Sequence, residues 1–198
     1  MDIDTYLYKT PAEVDPEAGR LLLADPRLVD ISFYRSAVLI LDREDTGAHL
    51  GLVLNHELPA TADALFKDWP GSEKIPLFKG GPVELDRLFM LHRLGSVIDG
   101  SLEILPGIYT GGDSDQIRDY IASGGETDGL MRFFIGHSGW GAGQLTKEIL
   151  ENSWAVNVHP DTSGLLRGEG ESYWRRQVEE LGPEFRSWLS IPAHPSLN

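Results

Sequence analysis

Residues 131–154, MRFFIGHSGWGAGQLTKEILENSW, decide how the rest of the chain is read. The stretch opens with an apolar run, Met131, Phe133, Phe134 and Ile135, which predicts a buried strand. Glycines follow at 136, 139, 141 and 143, with Trp140 among them, and this spacing predicts a glycine-rich loop. Leu145 and Ile149 stand four residues apart and predict a helix over 144–152. Strand, glycine loop and helix form a common cradle for a small ligand, because unpaired amide N–H groups collect at a helix start.

Upstream, residues 36–42 (SAVLILD) are almost continuously apolar and predict a central strand. Residues 50–55 predict its hairpin partner, and residues 19–24 an earlier strand stopped by Asp25-Pro26. Thr61 is expected to cap a short helix over 62–69, with Leu65 and Trp69 inward and Pro70-Gly71 as the stop. Gly80-Gly81-Pro82 reads as a tight turn, and residues 87–94, 102–105 and 108–110 as strands. Asp113 with Gln116 resembles a capping box before a helix carrying Ile117, Tyr120 and Ile121 on one face. Downstream, residues 154–158 predict a strand, and Trp174, Val178 and Leu181 predict a helix closed by Gly182-Pro183. Strands outnumber helices and do not alternate with them, which argues for an α+β fold with a mixed sheet and a few helices. One domain is expected over 19–190, with an arm at 1–18 and a loose tail at 191–198.

Composition narrows the function. The net charge of −14 opposes phosphate backbones and anionic lipid, and Arg175-Arg176, the densest basic stretch, lies among Glu171, Glu179 and Glu180. A nucleic-acid partner is therefore not expected. The absence of cysteine excludes disulfides, thiolate catalysis and cysteine-ligated metals. No apolar run reaches the roughly 20 residues that span a bilayer, and the acidic N-terminal stretch is not a signal peptide, so a cytoplasmic protein with no membrane partner is expected.

Motifs are sparse. Gly136-His137-Ser138 begins like a nucleophile elbow, but Trp140 stands where the second glycine belongs. A triad on Ser138 would need an acid and a histidine downstream, such as Asp161 with His194. The Walker and dinucleotide-binding glycine patterns both fail, and no histidine spacing marks a zinc site. No cofactor or metal is expected. His92 sits on an apolar strand, Arg35 precedes a central strand among apolar neighbours, and Asn55 ends a strand. Each reads as a buried structural residue or as part of a pocket.

Several blocks occur in order: Gly19-x-Leu21-Leu22-x-Ala24-x-Pro26, Phe33-x-Arg35-Ser36-x-Val38, Leu50-Gly51-x-Val53-Leu54-Asn55, Gly80-Gly81-Pro82-Val83, Leu91-His92, Gly139-Trp140-x-x-Gly143-Gln144-Leu145 and Trp154. Over residues 19–154 the chain resembles the YqgE/AlgH family of small bacterial proteins. That resemblance implies a compact α+β fold, with a bifurcated mixed sheet folded into a pseudo-barrel and helices outside. It implies no established activity; some members carry a regulator label. Three places depart from the family pattern: Asp42-Arg43, Asn55-His56-Glu57 and Gly136-His137-Ser138. The family accepts alanine at the Ser138 position, which argues against a nucleophile there.

The expected function is a small-ligand- or protein-binding module, regulatory in character and not an enzyme. Its candidate surface is Arg35, Ser36, Asn55, Gly80, Gly81, Pro82, His92, Trp140, Gly143 and Gln144, positions that match the motifs and have no evident packing duty in the sequence. The alternatives are a serine hydrolase using Ser138 and a transcriptional regulator, with direct DNA binding opposed by the charge.

Overall fold

The sheet is built on β9 (Met131–Trp140). In the computed structural model, which describes residues 15–43 and 45–193, this strand runs through Gly136 and Gly139 to Trp140. The glycine loop expected over 136–143 is therefore reduced to Gly141, Ala142 and Gly143. One edge of β9 pairs antiparallel with β6 (Val83–His92), from Met131↔His92 to His137↔Val83. The other edge is divided. β5 (Pro76–Lys79) pairs parallel with Phe133, Phe134 and Ile135, and β3 (His49–Val53) pairs antiparallel with Ser138, Gly139 and Trp140. The sheet forks between those two segments.

From β3 the order continues through β2 (Ala37–Arg43) and β1 (Leu21–Ala24) to β10 (Trp154–Asn157). From β6 it continues through β8 (Ile108–Gly111) to β7 (Ser101–Leu105), while β4 (Glu57–Thr61) flanks β5. The β2–β3 hairpin is present, with a register shift between Ile40 and Asp42. The result is the expected α+β architecture, a bifurcated mixed sheet curled into a half-barrel with helices around it.

Alternation along β1 and β2 explains why β1 is apolar throughout and β2 from Ala37 to Leu41. Leu21, Leu23 and Leu39 join the core inside the curl; Leu22, Ala24, Val38 and Ile40 join a second core on the other face. Two helices close the first core: α3 (Glu171–Leu181) and α4 (Arg186–Ser190) bring Trp174 and Trp188 together, their rings 6.5 Å apart and nearly parallel. Full burial of each such ring is worth about 3 kcal/mol or more. The second core is covered by α2 (Gln144–Leu150) through Leu145 and Ile149. The third is covered by α1 (Ser114–Ala122) through Ile117 and Ile121. Asp113 caps α1, its carboxylate accepting from the Asp115 and Gln116 amides, but the Gln116 side chain bonds Asp99 instead of closing the box.

One local expectation here needs correction. The helix over 62–69 is only a 3₁₀ turn, Ala62–Ala64, followed by further turns. Thr61 makes no cap bond and Leu65 is exposed. The Ala62 amide is committed to the Ile75 carbonyl at 2.8 Å, which ties this segment to the strand pair β4–β5. Ahead of the stretch expected as a tail, Pro183–Phe185 and α4 bury Phe185 and Trp188, and the Ile191 carbonyl accepts from Arg35. Near the expected start of the domain, the Pro16 carbonyl lies 2.8 Å from His49 Nε2. His194 lies outside the described residues.

Candidate functional site

The residues singled out by sequence fall in four separate places. Arg35, Ser36 and Asn55 form the first. Asn55 clamps the turn into β2: its Oδ1 accepts from the Ala37 amide and its Nδ2 donates to the Arg35 carbonyl, both at 2.9 Å. Arg35 has φ +47°, a left-handed conformation unusual for a non-glycine residue, and this clamp helps to hold it. Its guanidinium is buried, bonded to Glu171 and to the Ile191 carbonyl, and packed against Tyr34 and Trp174. Ser36 Oγ lies 3.3 Å from His56 Nε2, which also faces the Tyr34 carbonyl. Burial pushes the His56 pKa below its ordinary value, and Lys79 adds to that; the Tyr34 carbonyl opposes it.

Gly80, Gly81 and Pro82 sit at the fork of the sheet. The Gly80 carbonyl accepts from the Val53 amide at 2.8 Å and from Ser138 Oγ at 3.1 Å, and its amide donates to Ile135. A Cβ on Gly80 would lie 2.4 Å from the Gly136 carbonyl, and one on Gly81 2.2 Å from the His137 backbone. The glycines are there because two backbones cross at contact distance. Pro82 is exposed. Ser138 is fully buried within a strand, with its hydroxyl spent on Gly80. A nucleophile elbow needs a sharp strand-to-helix turn that presents the hydroxyl, and Ser138 has neither the turn nor the exposure.

Trp140 and Gln144 meet at a third place, the start of α2. Gln144 accepts from the Gly141 amide and donates to Glu148. Glu148 Oε2 in turn accepts both the Trp140 and the Trp154 indole N–H. Phe33 packs on both rings. Gly143 is exposed, with φ +73°. His92 stands alone in the fourth place. Its Nδ1 accepts from the Leu94 amide, which leaves Nε2–H to face the Gly111 carbonyl at 3.2 Å, and the ring stacks on Tyr109. Burial lowers its pKa, partly opposed by the Gly111 carbonyl. Most of the polar candidates are thus engaged in holding the fold.

The surface feature best shaped to receive something lies elsewhere. A groove of about 230 Å³ runs beside β6, floored by Met90 and Phe133 and walled by Phe66, Trp69 and Leu88; Phe89 also borders it, but its ring packs on the other face of β6 against the first core. Ile117 and the Gly111–Gly112 exit from β8 close its far end. Phe66 and Trp69 stack at 4.1 Å with planes 9° apart, and both are half-buried. Depressions of about 560 and 320 Å³ along β10 are larger, but polar and charged residues such as Glu17, Arg20, His159, Glu180 and Glu184 share their linings. Apolar lining is the better mark of a binding site.

Sequence reasoning missed this groove. Phe66 and Trp69 carried a usable signal, two aromatics three residues apart just before Pro70-Gly71. Leu88 and Phe89 were read only as strand residues. Arg132 was missed as well, although a charge inside an apolar strand is itself a signal. It is buried over the Phe78 ring, 4.1 Å from the centroid, with Nε and Nη1 unpartnered. Burial pulls its pKa down to about 10, against the opposing pull of Glu57, Asp128 and Glu169. Among the described residues no group of three or more His, Asp or Glu is placed to hold a metal ion, and no helix is long and apolar enough to cross a membrane.

The curled sheet recurs in solved structures of other proteins. The AlgH-like family model matches residues 21–186, and the chain belongs to that family. A UPF0301 protein of Bacteroides thetaiotaomicron is 38% identical over 199 residues, with both chains fully covered. One of Parabacteroides distasonis is 40% identical over 190 residues, covering 96% of this chain and 95% of the relative. The fold is similar to that of protein DIP2367 from Corynebacterium diphtheriae, with TM-score 0.71, 19% identity and coverage of 88% and 92%. It is also similar to the solution structure of the AlgH protein from Pseudomonas aeruginosa, with TM-score 0.66, 24% identity and coverage of 92% and 98%.

Proposed function

We propose that this chain is a non-enzymatic binding module that seats a segment of a protein partner in the groove beside β6. The carrying observation is the groove itself: stacked, half-buried Phe66 and Trp69 face Leu88, which is 37% exposed, across an apolar floor. Apolar and aromatic side chains left at the surface around a concavity mark interaction sites, and aromatic anchors dominate their energetics. The polar residues of the sequence motifs support this reading indirectly, because hydrogen bonds within the fold occupy them. A regulatory role would follow from what the partner does, with no chemistry required of this chain.

A random twelve-residue peptide library displayed on phage tests the reading. Panning on the wild-type protein should enrich sequences whose binding falls at least tenfold on Trp69→Ala, a variant checked for folding by its thermal transition. Enriched peptides indifferent to Trp69→Ala, or no enrichment at all, would reject the groove as the binding surface.

A further inference from the structure

We propose that the occupant of the groove is an extended, basic peptide segment that adds to β6 as a further strand. This deepens the binding-module reading and rests on it.

The sheet is unfinished at this point. β8 pairs with β6 only through Leu91↔Thr110 and His92↔Tyr109. It then leaves the sheet at Gly111 and Gly112, with φ +72° and +108°, and the Asp113 amide turns to the Asp99 carbonyl. Had the register continued, Gly111, Gly112 and Asp113 would have faced Met90, Phe89 and Leu88. On its other edge β6 is laddered to β9 from Leu88 to His92. Alternate residues of an antiparallel strand direct their N–H and C=O to opposite edges. The Met90 carbonyl accepts from Thr110 Oγ1 at 2.9 Å, so it faces the β8 side. Leu88, two residues earlier, faces the same side, and among the described strands none stands opposite it there. The edge ends at a bulge, where Glu84 has φ +47° and the register jumps from Val83 to Leu88.

An open edge beside an apolar groove is the geometry of strand addition, in which main-chain bonds give affinity and pockets read alternate side chains. Charge selects the occupant. Within two residues of the lining along the chain stand exposed Asp68, Asp86, Asp113, Asp115 and Asp119, against Lys67, Arg87 and Arg118 and the buried Arg132, and Arg118 is already paired with Asp115 and Asp119. Arg87 is already paired with Glu84 at 3.2 Å and lies over the Phe89 ring. A second copy would bring a chain of net charge −14 against another of the same charge. A segment alternating Lys or Arg with aliphatic or aromatic residues relieves that repulsion and fills the groove.

The test uses four synthetic nonapeptides: KVKLRYKVK, its EVELEYEVE counterpart, a neutral SVSLSYSVS, and KVKLRYKVK N-methylated at alternate residues. Binding to the full chain is followed by fluorescence anisotropy at two salt concentrations. The basic peptide should bind at least tenfold more tightly than the neutral one, weaken with salt, and lose at least tenfold on N-methylation and on Leu88→Pro, with Leu88→Ala as the folding control. Equal binding of acidic and basic peptides, or tolerance of N-methylation while Trp69→Ala still abolishes binding, overturns strand addition and leaves the groove reading intact. No binding by any peptide, together with a failed library screen, overturns both. A concentration-dependent dimer abolished by Leu88→Arg names a second copy as the occupant and overturns the proposal.

Discussion

Trp140 and Trp154 share one acceptor. Their indole N–H groups donate to the same oxygen, Oε2 of Glu148, at 2.9 and 2.8 Å, and their rings meet edge to face at 5.9 Å. One carboxylate on α2 thereby ties together the end of β9 and the start of β10. Glu148→Ala strands two indole donors, at about 1–3 kcal/mol each when fully desolvated. Glu148 is half-exposed and water replaces part of the loss, so the expected destabilisation is about 2 kcal/mol in urea titration. An unshifted midpoint would show that the shared acceptor carries no stability.

The glycine crossing at the fork gives a graded test. Gly81→Ala places a Cβ 2.2 Å from the His137 backbone, where no side chain can yield, and should cost more than about 3 kcal/mol or prevent folding. Gly143→Ala meets nothing within 4 Å and carries only the left-handed backbone penalty, about 1 kcal/mol. Equal costs at the two sites would refute the crossing as the reason for the Gly80-Gly81 pair.

Ser138 should behave as a structural hydroxyl. The Gly80 carbonyl keeps its bond from the Val53 amide when the hydroxyl is removed, so Ser138→Ala should cost only about 1 kcal/mol. A fluorophosphonate probe should leave the native protein unlabelled. Labelling that disappears in Ser138→Ala would restore the hydrolase reading.

Stability should fall in mild acid. Burial holds the pKa of His92, His56 and His137 below the ordinary 6.5. The unfolded chain therefore takes up these protons first as pH drops. Stability is lost as pH falls through 6.5 and levels off below the folded-state values. Urea midpoints between pH 7.5 and 5.5 should decline, and His92→Gln should flatten part of the slope. A slope unchanged in His92→Gln removes that residue from the account.

Arg132 should prove dispensable for stability. A buried guanidinium with two unpartnered nitrogens carries a desolvation cost that its stacking on Phe78 offsets only in part. Arg132→Met keeps the packing over the ring and removes the charge, and should raise stability by about 1 kcal/mol. A drop of similar size would mean that the surrounding carboxylates depend on it.

Local patterns were enough for much of the fold. Apolar runs located β1, β2, β3, β7, β8 and β10, Asp113 marked the start of α1, and the Trp174–Val178 stripe marked α3, because each signal lies within a few residues of the element it builds. The acidic charge and the lack of cysteine likewise need no structure to be read. Only the tertiary structure decided the meaning of the glycines. A glycine that permits a turn and one that lets a distant backbone approach look identical in sequence, so β9 continued where a loop was expected, and Gly80 and Gly81 became the fork of the sheet. The polar motif residues were legible as special but not as inward-facing, because their partners lie far along the chain: Arg35 with Glu171 and Ser138 with Gly80. The groove was invisible for the same reason. It exists because β8 leaves the sheet beside β6 and because the Phe66–Trp69 turn is packed alongside, and no local pattern records how two such segments meet.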